Sequence, residues 1–215
     1  MRFLKFLALT LVVALGFSSC KPDGGDGKHQ GHEYVDLGLS VKWATRNIGA
    51  KSPEDYGRYF AWGETTTKET YDYDNCPTYG LSTSELQSQG YIDSEGKLTA
   101  QYDAARANWG GTWRMPTKAE YNELLNICTW IWTTQNGVNG YKVTGPSGAS
   151  IFLPAAGRRS GSSLNSAGSY GFYWRSAPSS SYDGIYAFGL HFYNDYHGMH
   201  YYYRFNGLSV RPVLE

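Results

Sequence analysis

The chain has 215 residues, a formal net charge of zero and 18% charged residues. A neutral chain of this length gives no electrostatic case for binding nucleic acid or an anionic membrane surface, and it suits one folded domain. Tyr, Gly and Trp are abundant, at 19, 26 and 7 copies, which predicts a compact, loop-rich fold with many turns.

The first element is MRFLKFLALTLVVALGFSSC. Arg2 and Lys5 give a positive opening. Phe6 to Phe17 is an apolar run too short to span a bilayer, and Ser18 and Ser19 make a small-residue site before Cys20. This is the pattern of a bacterial lipoprotein signal peptide over residues 1–19, with Cys20 as the lipidated residue. Lipid chains on Cys20 would hold the chain to a membrane through their buried methylenes. The expected location is the cell envelope, anchored to the outer membrane and exposed at the surface. No later stretch is apolar and long enough to cross a bilayer as a helix. Residues 21–32, KPDGGDGKHQGH, contain no large apolar residue, so 20–32 is expected to be a lipidated Cys and flexible tether. The HxxH spacing of His29 and His32 there is read as incidental. The folded domain is expected over 33–215.

Within that domain, Val35, Leu37, Leu39, Val41 and Trp43 alternate with polar residues, the period of a half-buried strand. Tyr59 to Trp62 predicts a second short strand. Residues 65–100 are polar, without a sustained period, and read as a surface insertion with one short helix. The clearest helix lies in PTKAEYNELLNIC. Thr117 caps it, Glu120 completes a capping box, and Pro116 and Tyr121 are spaced for a hydrophobic staple. Tyr121, Leu124, Leu125 and Cys128 then fall on one face. From Trp130 onward WIWTT, GYKVT, ASIFLPA, GFYWRSA, IYAFGLHF and LSVRPV read as short strands punctuated by Gly, Asn, Pro and Ser. Helices followed by many short strands argue for an α+β domain with a small antiparallel or mixed sheet, one or two helices and long loops. Trp43, Trp62, Trp109, Trp113, Leu124, Leu125 and Phe152 are expected in the core, with Ile185, Ala187, Gly189 and residues 210–213 as support. After Cys20 only Cys76 and Cys128 remain. They could form one disulfide in an oxidising compartment, and spacing alone does not show whether they meet.

Four blocks, WGGTWRMPTKAEYNELL, NGYKVTGPSGASIFLPAAGRR, GFYWRSAP and the terminal GLSVRPV, together resemble the Fibrobacter major paralogous domain family. That family is frequent in bacterial lipoproteins and related to the formylglycine-generating enzymes within the C-type lectin fold. The resemblance spans about residues 33–215. It implies a C-type lectin-like domain with paired termini, irregular loops and a late β-region that carries ligand contacts.

Function does not follow from fold. Formylglycine generation needs a late pair of cysteine thiolates to bind copper, and no Cys follows Cys128. The chain also lacks a nucleophile elbow, a P-loop, a zinc-protease motif and a dinucleotide-binding glycine motif. No catalytic residue, cofactor or resident metal is expected, and the protein is read as a non-enzyme. The E-P-N, Q-P-D and W-N-D patterns of calcium-dependent sugar-binding lectins are absent, and oxygen ligands are few near the C-terminus. His191, His197 and His200 offer imidazoles for zinc, but no Cys lies near them and the spacing is not that of a helix face.

The remaining reading is a recognition surface. Nine of the Tyr residues lie between positions 170 and 206, and no Lys follows Lys142. Interface centres and antibody paratopes are likewise rich in Tyr and poor in Lys, because Tyr gives large contact area with few rotatable bonds. Tyr173, Tyr182, Asp183, Tyr186, His191, Tyr193, Asn194, Asp195, Tyr196, His197, His200, Tyr201, Tyr202 and Tyr203 form the candidate ligand-binding set. Tyr173 and Tyr186 sit within strand-like runs and are read as having a structural share. Alternation places Tyr202 opposite to Tyr201 and Tyr203. The expected partner is a protein or glycan at the cell surface, with the membrane engaged through the lipid anchor and no nucleic acid.

The same stretch resembles the variable proteins of diversity-generating retroelements, in which template adenines are mutated. An AAC or AAT codon diversified in this way reaches fifteen residue types and excludes Lys, Gln, Glu, Met and Trp. From Pro178 to Asn206 only Met199 falls outside that set. A fixed, metal-free glycan-binding or adhesin-like surface would have the same composition and stands as the alternative.

Overall fold

The computed structural model describes residues 27–179 and 183–215. The expected signal peptide, Cys20 and residues 21–26 of the tether lie outside them, as does Tyr182. In chain order the elements are β1 (Gly27–His29), β2 (His32–Val35), β3 (Lys42–Ala44), α1 (Thr83–Ser88), α2 (Ala104–Trp109), α3 (Lys118–Ile127), β4 (Thr129–Gln135), β5 (Val138–Thr144), β6 (Ser150–Pro154), β7 (Arg158–Ser160), β8 (Ser163–Asn165), β9 (Gly171–Pro178), β10 (Tyr186–Tyr193), β11 (Tyr196–Tyr203) and β12 (Val213–Leu214). Among the described residues the strands form four antiparallel sheets, in the orders β1-β2-β3-β12, β4-β5-β6, β7-β8 and β11-β10-β9. Small antiparallel sheets with three short helices make this an α+β fold.

Residues 27–32, within the stretch read as a tether, already form strand and turn. Lys28 pairs with Glu33 across a tight turn, and Gln30 and Gly31 in that turn both take positive φ, as a two-residue hairpin turn of this hand requires. Val35 and Tyr34 pack this hairpin against the core, and polar and aromatic contacts hold its turn. The His29 carbonyl accepts a hydrogen bond from Trp113 Nε1 at 3.0 Å, its Nε2 accepts from the Thr112 amide at 3.1 Å, and the His32 ring stacks on Trp109 at 3.9 Å. Hydropathy alone does not report imidazole stacking, so the segment reads as a tether.

The helix at 118–127 forms as its capping signals require. The Thr117 hydroxyl accepts from the Glu120 amide and the Glu120 carboxylate accepts from the Thr117 amide. Its Tyr121 and Leu124 are fully buried. The Glu120 carboxylate also takes two hydrogen bonds from Arg114, which lower its pKa against the opposing effect of burial. Tyr59 to Trp62 is buried but joins the sheets through the single bridge Phe60–Leu208. The 65–100 insertion contains a 3-10 turn at Tyr73–Asn75 and helix α1, and it is not merely surface. Tyr71, Cys76, Thr78, Leu86, Ile92 and Leu98 are all buried.

The core divides into three apolar clusters. One surrounds Trp62, Trp113 and Trp174, a second surrounds Trp43, Tyr121, Tyr173 and Phe192, and a third contains Tyr59, Tyr71 and Cys76. Cys76 therefore belongs to the third cluster while Cys128 packs at the margin of the second, and both are free thiols. The pairing offered by the sequence does not form. Burial raises both thiol pKa values, that of Cys128 to about 11, so neither is a poised nucleophile at neutral pH. Ile185 also departs from expectation. It is 38% exposed rather than core, whereas Ala187 and Val210 are buried.

The C-terminal segment is held by a buried cation. The Arg211 guanidinium donates to Asn47 Oδ1 at 2.9 Å, to the Ala44 carbonyl at 3.1 Å and to the Phe152 carbonyl at 2.9 Å. Burial lowers its pKa to about 10, still far above neutrality. A charged group so enclosed is tolerated only when its donors are matched, and here they join β3 and β6 to the chain end.

Candidate ligand-binding surface

The late sheet is where most of the candidate residues lie. In it β10 pairs with β11 from Tyr186–Tyr203 to Tyr193–Tyr196 without a break. Residues directly opposite on antiparallel strands share a face. Tyr186, Phe188, Leu190 and Phe192 therefore share one face with Tyr203, Tyr201, Met199 and His197. Ala187, Gly189, His191 and Tyr193 share the other with Tyr202, His200, Gly198 and Tyr196. Gly189 is required at its position, because a Cβ there would collide with the Tyr173 carbonyl of the adjoining strand.

Each face is half covered. On the first, Leu190, Phe192 and Met199 pack under Trp130, Trp132 and Tyr141 of the neighbouring sheet. His197 belongs to this covered part. Its ring lies flat on Trp130 at 4.6 Å, and burial lowers its pKa. On the second, Ala187 and Tyr202 join the cluster around Trp174.

The open half of the first face is a row of aromatic rings. Tyr186 contacts Tyr201 at 5.0 Å and stacks with Tyr203 at 4.7 Å; Tyr203 stacks with Phe205 at 4.9 Å. Phe205 then meets Tyr79 at 5.3 Å and Tyr73 at 6.4 Å. The row runs from the sheet onto the 65–100 insertion, and its two most open rings, Tyr73 and Tyr203, are 57% and 41% exposed. Hydrogen bonding with Tyr203, together with burial, pushes the Tyr186 phenol up to about 12, so it stays a neutral donor at neutral pH. Arg204 fixes the base of the row. Its guanidinium donates to the Thr78 and Leu81 carbonyls at 2.9 and 2.7 Å and to the Tyr186 carbonyl at 3.2 Å. The insertion and the sheet edge are thereby joined.

The open half of the second face gathers Tyr170, His191, Tyr193, Tyr196 and His200 around Phe172, Tyr202 and Arg158. His191 is pulled down to about 4 by burial first, then by the nearby His200 and Arg158, and is neutral at pH 7.

The fourteen candidates thus separate. Tyr186, Tyr201 and Tyr203 belong to the first open surface, and His191, Tyr193, Tyr196 and His200 to the second. Tyr173 is fully buried, its hydroxyl donating to the Pro154 carbonyl at 2.7 Å, so it cannot meet a ligand. Tyr202 is 7% exposed and is likewise removed from the surface reading; alternation does turn it away from Tyr201 and Tyr203, but into the core. Asp183 is exposed, yet its carboxylate accepts from the Thr83 amide and hydroxyl at 2.7 and 2.8 Å and ties this segment to the start of α1. Asn194 and Asp195 form the exposed β10–β11 turn, where the Tyr141 hydroxyl donates to the Asn194 carbonyl at 2.8 Å. The three histidines do not converge, because His197 faces away from His191 and His200. Among the described residues no three or more His, Cys, Asp or Glu side chains are grouped to hold a metal. Tyr73, Tyr79, Phe205, Tyr170 and Arg158 complete the two surfaces and were not legible as site residues. The YDYDNCPTY stretch (71–79) shows the same Tyr bias, but only the fold brings it beside β11.

Residues 126–213 match the model of a protein family described as a domain of unknown function (DUF8237). The match covers β4 to β12, including the whole late sheet. No curated protein and no solved structure matches the chain significantly. Among the described residues no helix is long and apolar enough to cross a membrane.

Proposed function

We propose that this protein is a non-enzymatic ligand-binding lipoprotein. In this reading it is anchored at the cell surface through Cys20 and displays a Tyr-rich surface on a rigid C-type lectin-like scaffold. The observation that carries the reading is the aromatic row from Tyr201 through Tyr186, Tyr203 and Phe205 to Tyr79 and Tyr73. A contiguous aromatic surface with exposed rings at Tyr73 and Tyr203 is the kind that marks interaction sites, and rigid Tyr side chains with polar tips supply contact area at low entropic cost. The scaffold beneath is pinned by a buried guanidinium and by α1, so the rings are preorganised. Pairing of the two ends of the domain in one sheet, β1-β2-β3-β12, and the late position of the open sheet support the C-type lectin-like reading. The row's partner is a protein surface, because it is an extended strip rather than an enclosed pocket.

Panning the full-length chain against cell-surface proteins, beside a Tyr186→Ala/Tyr203→Ala double variant, tests the reading. The wild type is expected to retain a partner that the double variant loses at unchanged melting temperature. A partner retained equally by both would overturn it. Diversification is tested at the gene: a second, adenine-differing copy of the codons for about residues 165–213, beside a reverse transcriptase gene, is the expected result. Its absence would leave a fixed surface.

A further inference from the structure

The second open surface has a different chemistry from the aromatic row. It is built around a cation. The Arg158 guanidinium lies over the rings of Phe172 at 5.1 Å and Tyr202 at 5.7 Å. Among the described residues no carboxylate pairs with it and no acceptor takes a hydrogen bond from it, and its buried Nε has no partner at all. His191, whose ring stacks on Phe172 at 5.0 Å, also has a buried Nε2 without a partner. Leaving polar atoms unmatched costs stability, so two of them together beside an uncompensated charge call for an account. The adjacent Arg159 shows the contrast: it points to the other side of β7, over Tyr59, and donates to the Ser162 carbonyl at 3.2 Å.

Around Arg158 the surface is aromatic. Tyr170 lies parallel to Phe172 at 6.0 Å, Tyr193 follows at 5.2 Å from Tyr170, and Tyr196 stacks on Tyr193 at 5.4 Å. The rings of Tyr170, Tyr193 and Tyr196 are 36%, 37% and 40% exposed. Such a platform fits the C–H faces of pyranose rings, with phenol groups at its edges for sugar hydroxyls. A single guanidinium at one end fits one carboxylate in bidentate fashion. We propose that this face, formed by Arg158, Tyr170, His191, Tyr193 and Tyr196, binds a carboxylate-bearing sugar of the uronic acid type. A peptide rich in acidic residues would call for several cations, and Arg158 stands alone among these rings. The inference does not depend on the partner of the aromatic row, which lies on the other face of the sheet.

The test is direct binding of the full-length chain to an oligogalacturonate, to the same oligosaccharide with its carboxylates reduced to alcohols, and to poly-glutamate. The oligogalacturonate is expected to bind, the reduced form to bind about 10- to 100-fold more weakly, and poly-glutamate not to compete. Arg158→Gln should lose binding by a similar factor and Arg158→Lys should not restore it, because an ammonium lacks the planar fork. Tyr196→Ala, at an exposed ring, provides a variant whose folding is not in question and should also weaken binding. Tyr203→Ala, on the other face, should leave it unchanged. Equal binding of acidic and reduced sugars, or retention of binding in Arg158→Gln, would overturn the proposal. Binding of poly-glutamate in place of the sugar would overturn the ligand class. Loss of sugar binding in Tyr203→Ala would overturn the separation of the two faces.

Discussion

Strands β9 and β11 are the two outer strands of one three-stranded sheet, and both are aromatic, yet one is buried along almost its whole length while the other alternates with solvent. The difference lies in what flanks them. β9 is covered on both faces and along its edge. Trp174 Nε1 donates to the Phe60 carbonyl at 2.7 Å, the Tyr173 hydroxyl donates to the Pro154 carbonyl, and the Ser209 amide donates to the Phe172 carbonyl at 3.1 Å. Among the described residues β11 has only β10 beside it in the sheet, and of its eight residues just Tyr202 is buried. Equal aromatic content therefore serves opposite ends. In β9 the polar tips of Tyr173 and Trp174 find backbone partners, and the rings are scaffold. In β11 the exposed Tyr203 and Tyr196 turn towards solvent, and those rings are available.

Four measurements would break or sharpen that contrast. Trp174→Ala should give the largest effect, a loss of about 3–5 kcal/mol in denaturant unfolding, because a fully buried indole and its hydrogen bond both disappear. Tyr202→Ala should lose about 3 kcal/mol, the lower end of that range, as the one β11 side chain packed into the core; Tyr202→Phe, which keeps the ring, should cost less than about 1 kcal/mol. A smaller effect is expected from acid. Burial holds His191 near pKa 4 and lowers His32 and His197, against about 6.5 when unfolded. The unfolded chain then binds more protons between those values, so stability is full above about pH 6.5 and falls as pH drops towards 4. Melting curves across that window should show the loss, and His191→Gln should flatten part of it. The smallest effect is expected at Tyr203→Ala, within about 0.5 kcal/mol of the wild type, with the loss confined to binding. A melting temperature that falls as far as in Tyr202→Ala would place Tyr203 in the scaffold and erase the contrast between the strands.

Much of the fold was legible in local signals. The capping box at Thr117 and Glu120 and the strand runs from Trp130 to Phe192 follow from short-range propensity and pattern. The burial of Trp43, Trp62 and Trp113 follows from hydrophobicity. What escaped was set by contacts distant in sequence. His32 is ordered by Trp109, Tyr73 meets Phe205 only in the folded chain, and Cys76 and Cys128 sit in separate clusters. Tyr173, Tyr202 and His197 left the candidate surface for a related reason. Alternation assigns Tyr201, Tyr202 and Tyr203 to two faces, but it does not say which face is covered at which end, and in this sheet cover changes sides along the strands. Arg158 gave no signal as a site residue, since the Arg158–Arg159 pair in a Gly- and Ser-rich stretch does not show which of the two turns towards the late sheet.

The most direct test of the central claim is tyrosine-selective surface labelling of the full-length protein, read residue by residue by mass spectrometry with and without a partner retained in panning. Tyr73 and Tyr203 are predicted to label in the free protein and to be protected in the complex, while Tyr121 and Tyr173 stay unlabelled in both. Unchanged labelling of Tyr73 and Tyr203 on binding, with the partner bound elsewhere, would contradict the account.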